Sequence, residues 1–193
     1  GLSMGRYRKI DPRIWNDQKF RTLSDNGKLT FLFALTHPHM TSLGAMRTTE
    51  SGLAEELGWT LKAFREAFRE ALSKGLLKYD AKGACLVVPN FLKYNPPESP
   101  NVVVSWEKVI DLIPECALQI ELYQYVKDFL EGLGEAFAKA MPKAMSKTMP
   151  NPEPEPEPEQ EPDKDTPPTP SRGISFSPQN LAELWNEKAP PEM

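Results

Sequence analysis

The sequence predicts a mainly α protein with a small β-wing, and three observations carry that prediction. From Thr48 to Val88, two short helical stretches flank a tight turn and lead into a β-rich hairpin pattern. From Val102 to Ala140, apolar residues recur at helical spacing. Beyond Met141 the chain turns to Pro, Glu, Thr and Ser, a composition that cannot bury enough apolar surface to offset the entropy of ordering it. The expected architecture is a winged helix-turn-helix domain, then two amphipathic helices, then a disordered acidic Pro-rich tail.

Gly1-Leu2-Ser3 ahead of Met4 reads as an expression remnant, so residues 1–5 are set aside from the fold. The expected winged domain spans 6–95. It opens with a short basic and aromatic arm, Arg6-Tyr7-Arg8-Lys9. Ser24 is the expected cap of the first long helix, with Leu29, Leu32, Phe33 and Leu35 or Thr36 on its inner side. Leu43 to Met46 supplies a small first strand. Thr48 or Thr49 caps a second helix that ends at Gly58. Thr60 caps a third, whose apolar stripe is Leu61, Phe64, Phe68, Ala71 and Leu72, and Gly75 stops it. Leu76, Leu77 and Tyr79 start a strand, Asp80-Ala81-Lys82-Gly83 turns, and Cys85 to Val88 returns.

The prolines of Asn95-Pro-Pro-Glu-Ser-Pro100 break regular structure. A helical extension is expected over 96–140. One helix carries Trp106, Val109, Ile110 and Ile113; a longer one runs from about Glu115 to Ala140, with Leu118, Leu122, Tyr125, Phe129, Leu130, Leu133 and Phe137 on one face. That face folds back on the winged domain or pairs with a second copy, so a homo-oligomer is one expectation. Residues 141–177 read as a disordered Glu/Pro-rich linker. Residues 178–193 read as the start of a C-terminal segment cut short, because Leu181, Leu184 and Trp185 begin an apolar face that stops at Pro190-Pro191.

The net charge of −4 hides a split. Residues 1–95 carry fifteen Lys and Arg against nine Asp and Glu, a balance of +6, and the remainder carries eight against eighteen, a balance of −10. A basic module followed by an acidic segment suits a polyanion-binding domain with a separate tail. No run is apolar and long enough to span a bilayer, and no signal-peptide core follows the start, so a cytoplasmic, nucleoid-associated protein is expected. Cys85 and Cys116 have no metal-ligand neighbours and read as buried free thiols. His37 and His39 read as turn and cap residues. No phosphate-cradling Gly-rich loop and no nucleophile–histidine–acid set occurs, so neither enzymatic activity nor a cofactor or metal is expected.

The runs WNDQKFRTLSDNGKLTFLFALTHPH, LGAMR, EELGWT, KGLLKYD and VPNFLKYNPP, in this order and spacing, resemble the N-terminal region of phage- and prophage-encoded replication proteins of the DnaD or replisome-organiser type. The resemblance covers about Ile10 to Trp106, and more loosely the helix that starts Pro114-Glu-Cys. It implies a winged-helix DNA-binding domain, a flexible acidic linker and a C-terminal domain that engages a replicative helicase or helicase loader. The chain departs from such proteins at LAELWNEKAPPEM, beyond which they continue.

On the third helix, the core stripe leaves Lys62, Arg65 and Arg69 opposite, with Thr60 and Lys62 at the N-terminal end that normally enters the major groove. Arg can pair with guanine or grip phosphate. Glu66 and Glu70 on the adjacent stripe oppose this, and a solvated face of mixed charge uses the same residues. Lys78 and Lys82 flank the hairpin turn and could touch phosphate, or stand exposed without a role. Arg6, Arg8 and Lys9 resemble a minor-groove or backbone arm, or a frayed basic terminus. The expected function is duplex DNA binding in replication initiation. The other readings are a winged-helix transcriptional regulator and a winged-helix protein–protein module.

Overall fold

The computed structural model describes residues 7–149. Arg6, the linker from residue 150 onward and the C-terminal segment lie outside the described residues. A 3₁₀ turn over Pro12–Asn16 leads into α1 (Gln18–Arg21) and α2 (Asp25–Thr36). Then come β1 (Ala45–Arg47), α3 (Glu50–Glu56), α4 (Leu61–Ser73), β2 (Lys78–Asp80) and β3 (Cys85–Val87). Short helices α5 (Phe91–Tyr94), α6 (Pro100–Ser105) and α7 (Glu107–Ile110) follow, then α8 (Ala117–Leu133), α9 (Glu135–Lys139) and α10 (Lys143–Thr148). The described chain is mainly helical, with one small antiparallel sheet in the order β1-β3-β2. No helix among the described residues is long and apolar enough to cross a membrane.

The helix ends follow the local chemistry. Ser24, Thr49 and Thr60 hydroxyls accept from the backbone N–H of Gly27, Gly52 and Ala63 at 3.0, 3.1 and 3.2 Å. At the end of α3, Gly58 N–H donates to Glu55 C=O and Trp59 N–H to Ala54 C=O, both at 2.9 Å. This closes the helix and turns the chain into α4. The end of α4 repeats the pattern with Gly75 and Leu76.

A further cap is supplied from a distance. The Glu70 carboxylate on α4 accepts from Ser24 N–H and Ser24 Oγ–H, both at 2.7 Å, and so sits at the positive end of α2. We expect Glu70→Ala to lower stability by about 1–2 kcal/mol, read as a shift in the urea midpoint. An unchanged midpoint would mean that the carboxylate is merely solvated.

The buried side of α2 is Thr30, Phe31, Ala34 and Leu35, while Leu29 is 47 % exposed and Thr36 is also exposed. Of the expected inner face, Leu35 is buried and Leu32 and Phe33 are half-buried against the core, whereas Leu29 and the alternative Thr36 lie outside it. Residues 29–35 are apolar on nearly every side, so spacing alone does not select the face. Phe20, Phe31, Phe64 and Phe68 centre the core formed with α4.

Strand alternation divides the sheet into two working faces. Cross-strand register puts Met46, Leu86 and Tyr79 in one row, and Ala45, Val87 and Lys78 in the next, facing the other way. The first face receives α4, with Phe68 edge-on to Tyr79 at 5.4 Å. The second face is covered by α8, which packs on β2 and β3. Cys85, Leu86 and Val87 are consequently all buried.

α8 therefore folds back on the sheet and buries Leu118, Leu122, Tyr123, Val126 and Leu130. Leu133, expected on that face, is 40 % exposed. The single helix expected to run to Ala140 instead breaks at Gly134, whose φ of +119° leaves the helical region, and α9 restarts beyond it. The helix expected from Val102 is two short ones meeting at buried Trp106. The first begins at Pro100, a residue expected to break structure, because proline is tolerated at a first helical position.

Residues 141–149, expected to open the disordered linker, are a correction. α10 forms there, packs on α7 and α8, and buries Met145 completely. One flexible methionine at the right place anchors a segment whose composition looks like low complexity.

Candidate nucleic-acid interface

The outward face of α4 follows from its buried one. Phe64, Ala67, Phe68 and Ala71 are buried, so at 100° per residue Lys62, Glu66, Arg69 and Ser73 project to solvent. Lys62 and Arg69 are exposed and make no hydrogen bond or ion pair among the described residues. Neither pairs with Glu66 between them, although the spacing permits it. Thr60 uses its hydroxyl as acceptor for Ala63 N–H and stands exposed at the helix N-terminus.

Arg65 does not join this face. It lies on the flank toward α3, where its Nε donates to Glu50 Oε2 at 3.0 Å. Glu70, expected to repel a phosphate backbone, lies on the opposite flank and is spent on Ser24. Of the two carboxylates that weighed against nucleic acid, only Glu66 remains on the outward surface.

The hairpin turn is held by Asp80, whose carboxylate accepts from Gly83 N–H at 2.8 Å, and Ala84 takes a φ of +50°. Lys82 is exposed in this turn, with no ion pair or hydrogen bond among the described residues. Lys78 is a correction to the expected pair of turn lysines. Strand alternation sends it to the α8 face, where Nζ meets Glu121 Oε2 at 2.6 Å. The sequence reading did not single out Arg47, exposed at the end of β1 and likewise without a partner among the described residues, whose register opposite Cys85 puts it on the same side of the sheet as Lys78. Thr48 N–H donates to Ala84 C=O at 2.8 Å, which sets Arg47 beside the turn. A cation between the first strand and the Thr48-Thr49 cap was the available signal.

Arg8 and Lys9 of the arm lie against the domain, and Tyr7 is exposed. The Arg8 guanidinium donates to Met40 C=O and sits over the Phe91 ring at 5.5 Å. Lys9 N–H donates to Asn95 Oδ1 at 2.9 Å. The Lys9 side chain edges a groove of about 430 Å³ with Arg13, Lys19 and Lys93 on its rim and Phe31 and Leu76 in its lining. Hydrogen bonds from Arg13 hold the Asp11 carboxyl at the groove down to about 2. The groove lies past the C-terminal end of α4, since Gly75 and Leu76 line it. The arm therefore lies toward the end of α4 opposite Thr60 and Lys62.

His37 is buried and bridges α2 to α3. Its Nδ1 accepts from His39 N–H at 3.1 Å, so Nε2 carries the proton that faces Glu56 Oε2 at 2.7 Å. Comparison with family models, with curated proteins and with solved structures returns no match for this chain.

Proposed function

We propose that residues 6–95 are a winged-helix domain that binds duplex DNA, in a replication-initiation protein of the phage replisome-organiser type that recruits helicase-loading partners. The observation that carries the reading is the outward face of α4, where Lys62 and Arg69 project unpaired at the same side as an N-terminal helix end. The order α2, β1, α3, α4, β2, β3, with β3 between the other two strands, is compatible with a winged helix. In that reading α4 is the recognition helix, and the turn with Lys82 is the wing. The +6 balance of residues 1–95 supports a polyanion as partner. The replication role rests on the resemblance of the motif runs from Trp15 to Pro97.

Binding to a random-sequence duplex, followed by fluorescence anisotropy across a salt series, tests the reading. Three phosphate contacts, by Lys62, Arg69 and Lys82, give a slope of log K against log salt of about −3. A slope of zero, or no binding at low salt, rejects it. One observation would then favour the protein–protein reading, namely the groove with a cationic rim and apolar lining beside the arm.

A further inference from the structure

The two cysteines, far apart in sequence, lie near enough where α8 crosses the sheet for the Cys116 thiol to act on that of Cys85. Cys85 is wholly buried in β3, on the face that α8 covers. Cys116 is the N-cap residue of α8, is half-buried, and makes no capping hydrogen bond through its side chain. A Cβ on Gly83 would lie 2.7 Å from Cys116 Cβ and 3.3 Å from its sulfur, so Cys116 presses on the hairpin turn two residues before Cys85. The Lys78–Glu121 ion pair at 2.6 Å ties the same two elements one helical turn further on.

We propose that Cys85 and Cys116 form a redox-active dithiol that closes to a disulfide on reaction with a small-molecule disulfide, fastening the hairpin to α8. The accessible partner reacts first. Cys116 gives its proton to solvent, and its sulfur attacks one sulfur of oxidised glutathione, forming a mixed disulfide and expelling a glutathione thiolate. Cys85 then loses its proton, and its sulfur attacks Cys116 sulfur, expelling the second glutathione. The pair is oxidised by two electrons, one glutathione disulfide is reduced to two thiols, and the two released protons end on them.

The second step is the slow one. Burial first, then the neighbouring Cys116, pushes the Cys85 thiol up to about 12. Asp80 from β2 and a Cys116 thiolate oppose a negative charge there, and a charged Cys85 in turn raises the phenol of Tyr123 on α8. Burial still raises the Cys85 thiol once Cys116 is in the mixed disulfide, and only the thiolate attacks, so closure accelerates as pH rises.

The test is native incubation of the full chain with oxidised glutathione at pH 7 and pH 9, alkylation with iodoacetamide, and intact-mass and peptide analysis. The expected product has lost two hydrogens, resists alkylation and links the Cys85 and Cys116 peptides. Conversion of the mixed disulfide to this product is faster at pH 9. Cys85→Ser should stop at one glutathione on Cys116. A full chain that keeps both thiols alkylatable, holds a lasting mixed disulfide at pH 9, or closes only in urea overturns the proposal. The unsubstituted chain alone separates these outcomes, so the test stands even if Cys85→Ser fails to fold.

Discussion

Gly44→Ala is expected to lower the stability of the domain by about 3–5 kcal/mol, more than any surface change. Gly44 sits at φ +78°, between the turn at Thr41 and β1, and its carbonyl accepts from Val88 N–H at 2.8 Å. A Cβ there would lie 2.3 Å from Phe91 Cβ and 2.5 Å from its Cγ. Phe91 has nowhere to go. It is 2 % exposed, and the Arg8 guanidinium lies over its ring. The left-handed backbone and the collision therefore add. Gly58→Ala separates the two, because Gly58 has φ +68° and nothing within 4 Å of its Cβ position. Its cost should be the backbone term alone, about 1 kcal/mol. Urea midpoints of the two variants check this. Equal shifts would mean that Phe91 yields and that the contact carries no cost.

The contrast between these glycines bears on what could be read before the structure. α3, the turn and α4 were legible because their signals are local. Thr49, Gly58, Thr60 and Gly75 cap helices through hydrogen bonds spanning a few residues. Partners far apart in sequence left no such trace. Glu70 looked like a carboxylate facing nucleic acid, yet it caps a helix whose N-cap residue lies forty-six positions earlier. Lys78 looked like a turn lysine, yet strand alternation and Glu121 hold it on the other face of the sheet. The burial of α8 was legible as an apolar face, but its partner was not, since periodicity says which side is apolar and not what covers it. α10 was missed because one buried Met145 amid Ala, Lys and Ser gives no periodic pattern.

Replacing both Lys62 and Arg69 with alanine is expected to weaken duplex binding about a hundredfold at low salt. An arginine reading a base costs about 1–3 kcal/mol, and a lysine on phosphate adds a screened contribution. If both residues touch phosphate, the salt slope falls in magnitude by about 1.8. The other charges should rank by where the fold puts them. Lys82→Ala removes about 0.9 from the slope if the hairpin turn reaches the backbone. Arg65→Ala has less effect than Arg69→Ala, because Arg65 already pairs with Glu50 at 3.0 Å. Lys78→Ala leaves the slope unchanged, since Glu121 holds its ammonium at 2.6 Å on the α8 side. Glu66→Gln should strengthen binding several-fold at low salt, with the gain fading as salt screens the carboxylate. That sign is the sharpest discriminator. Glu66 stands between Lys62 and Arg69, so its neutralisation alters affinity only if this face of α4 meets the polyanion. Anisotropy titrations with the single variants read it directly. Weaker binding for Lys78→Ala together with indifference to Glu66→Gln would move the interface off α4 and onto the side of the sheet covered by α8.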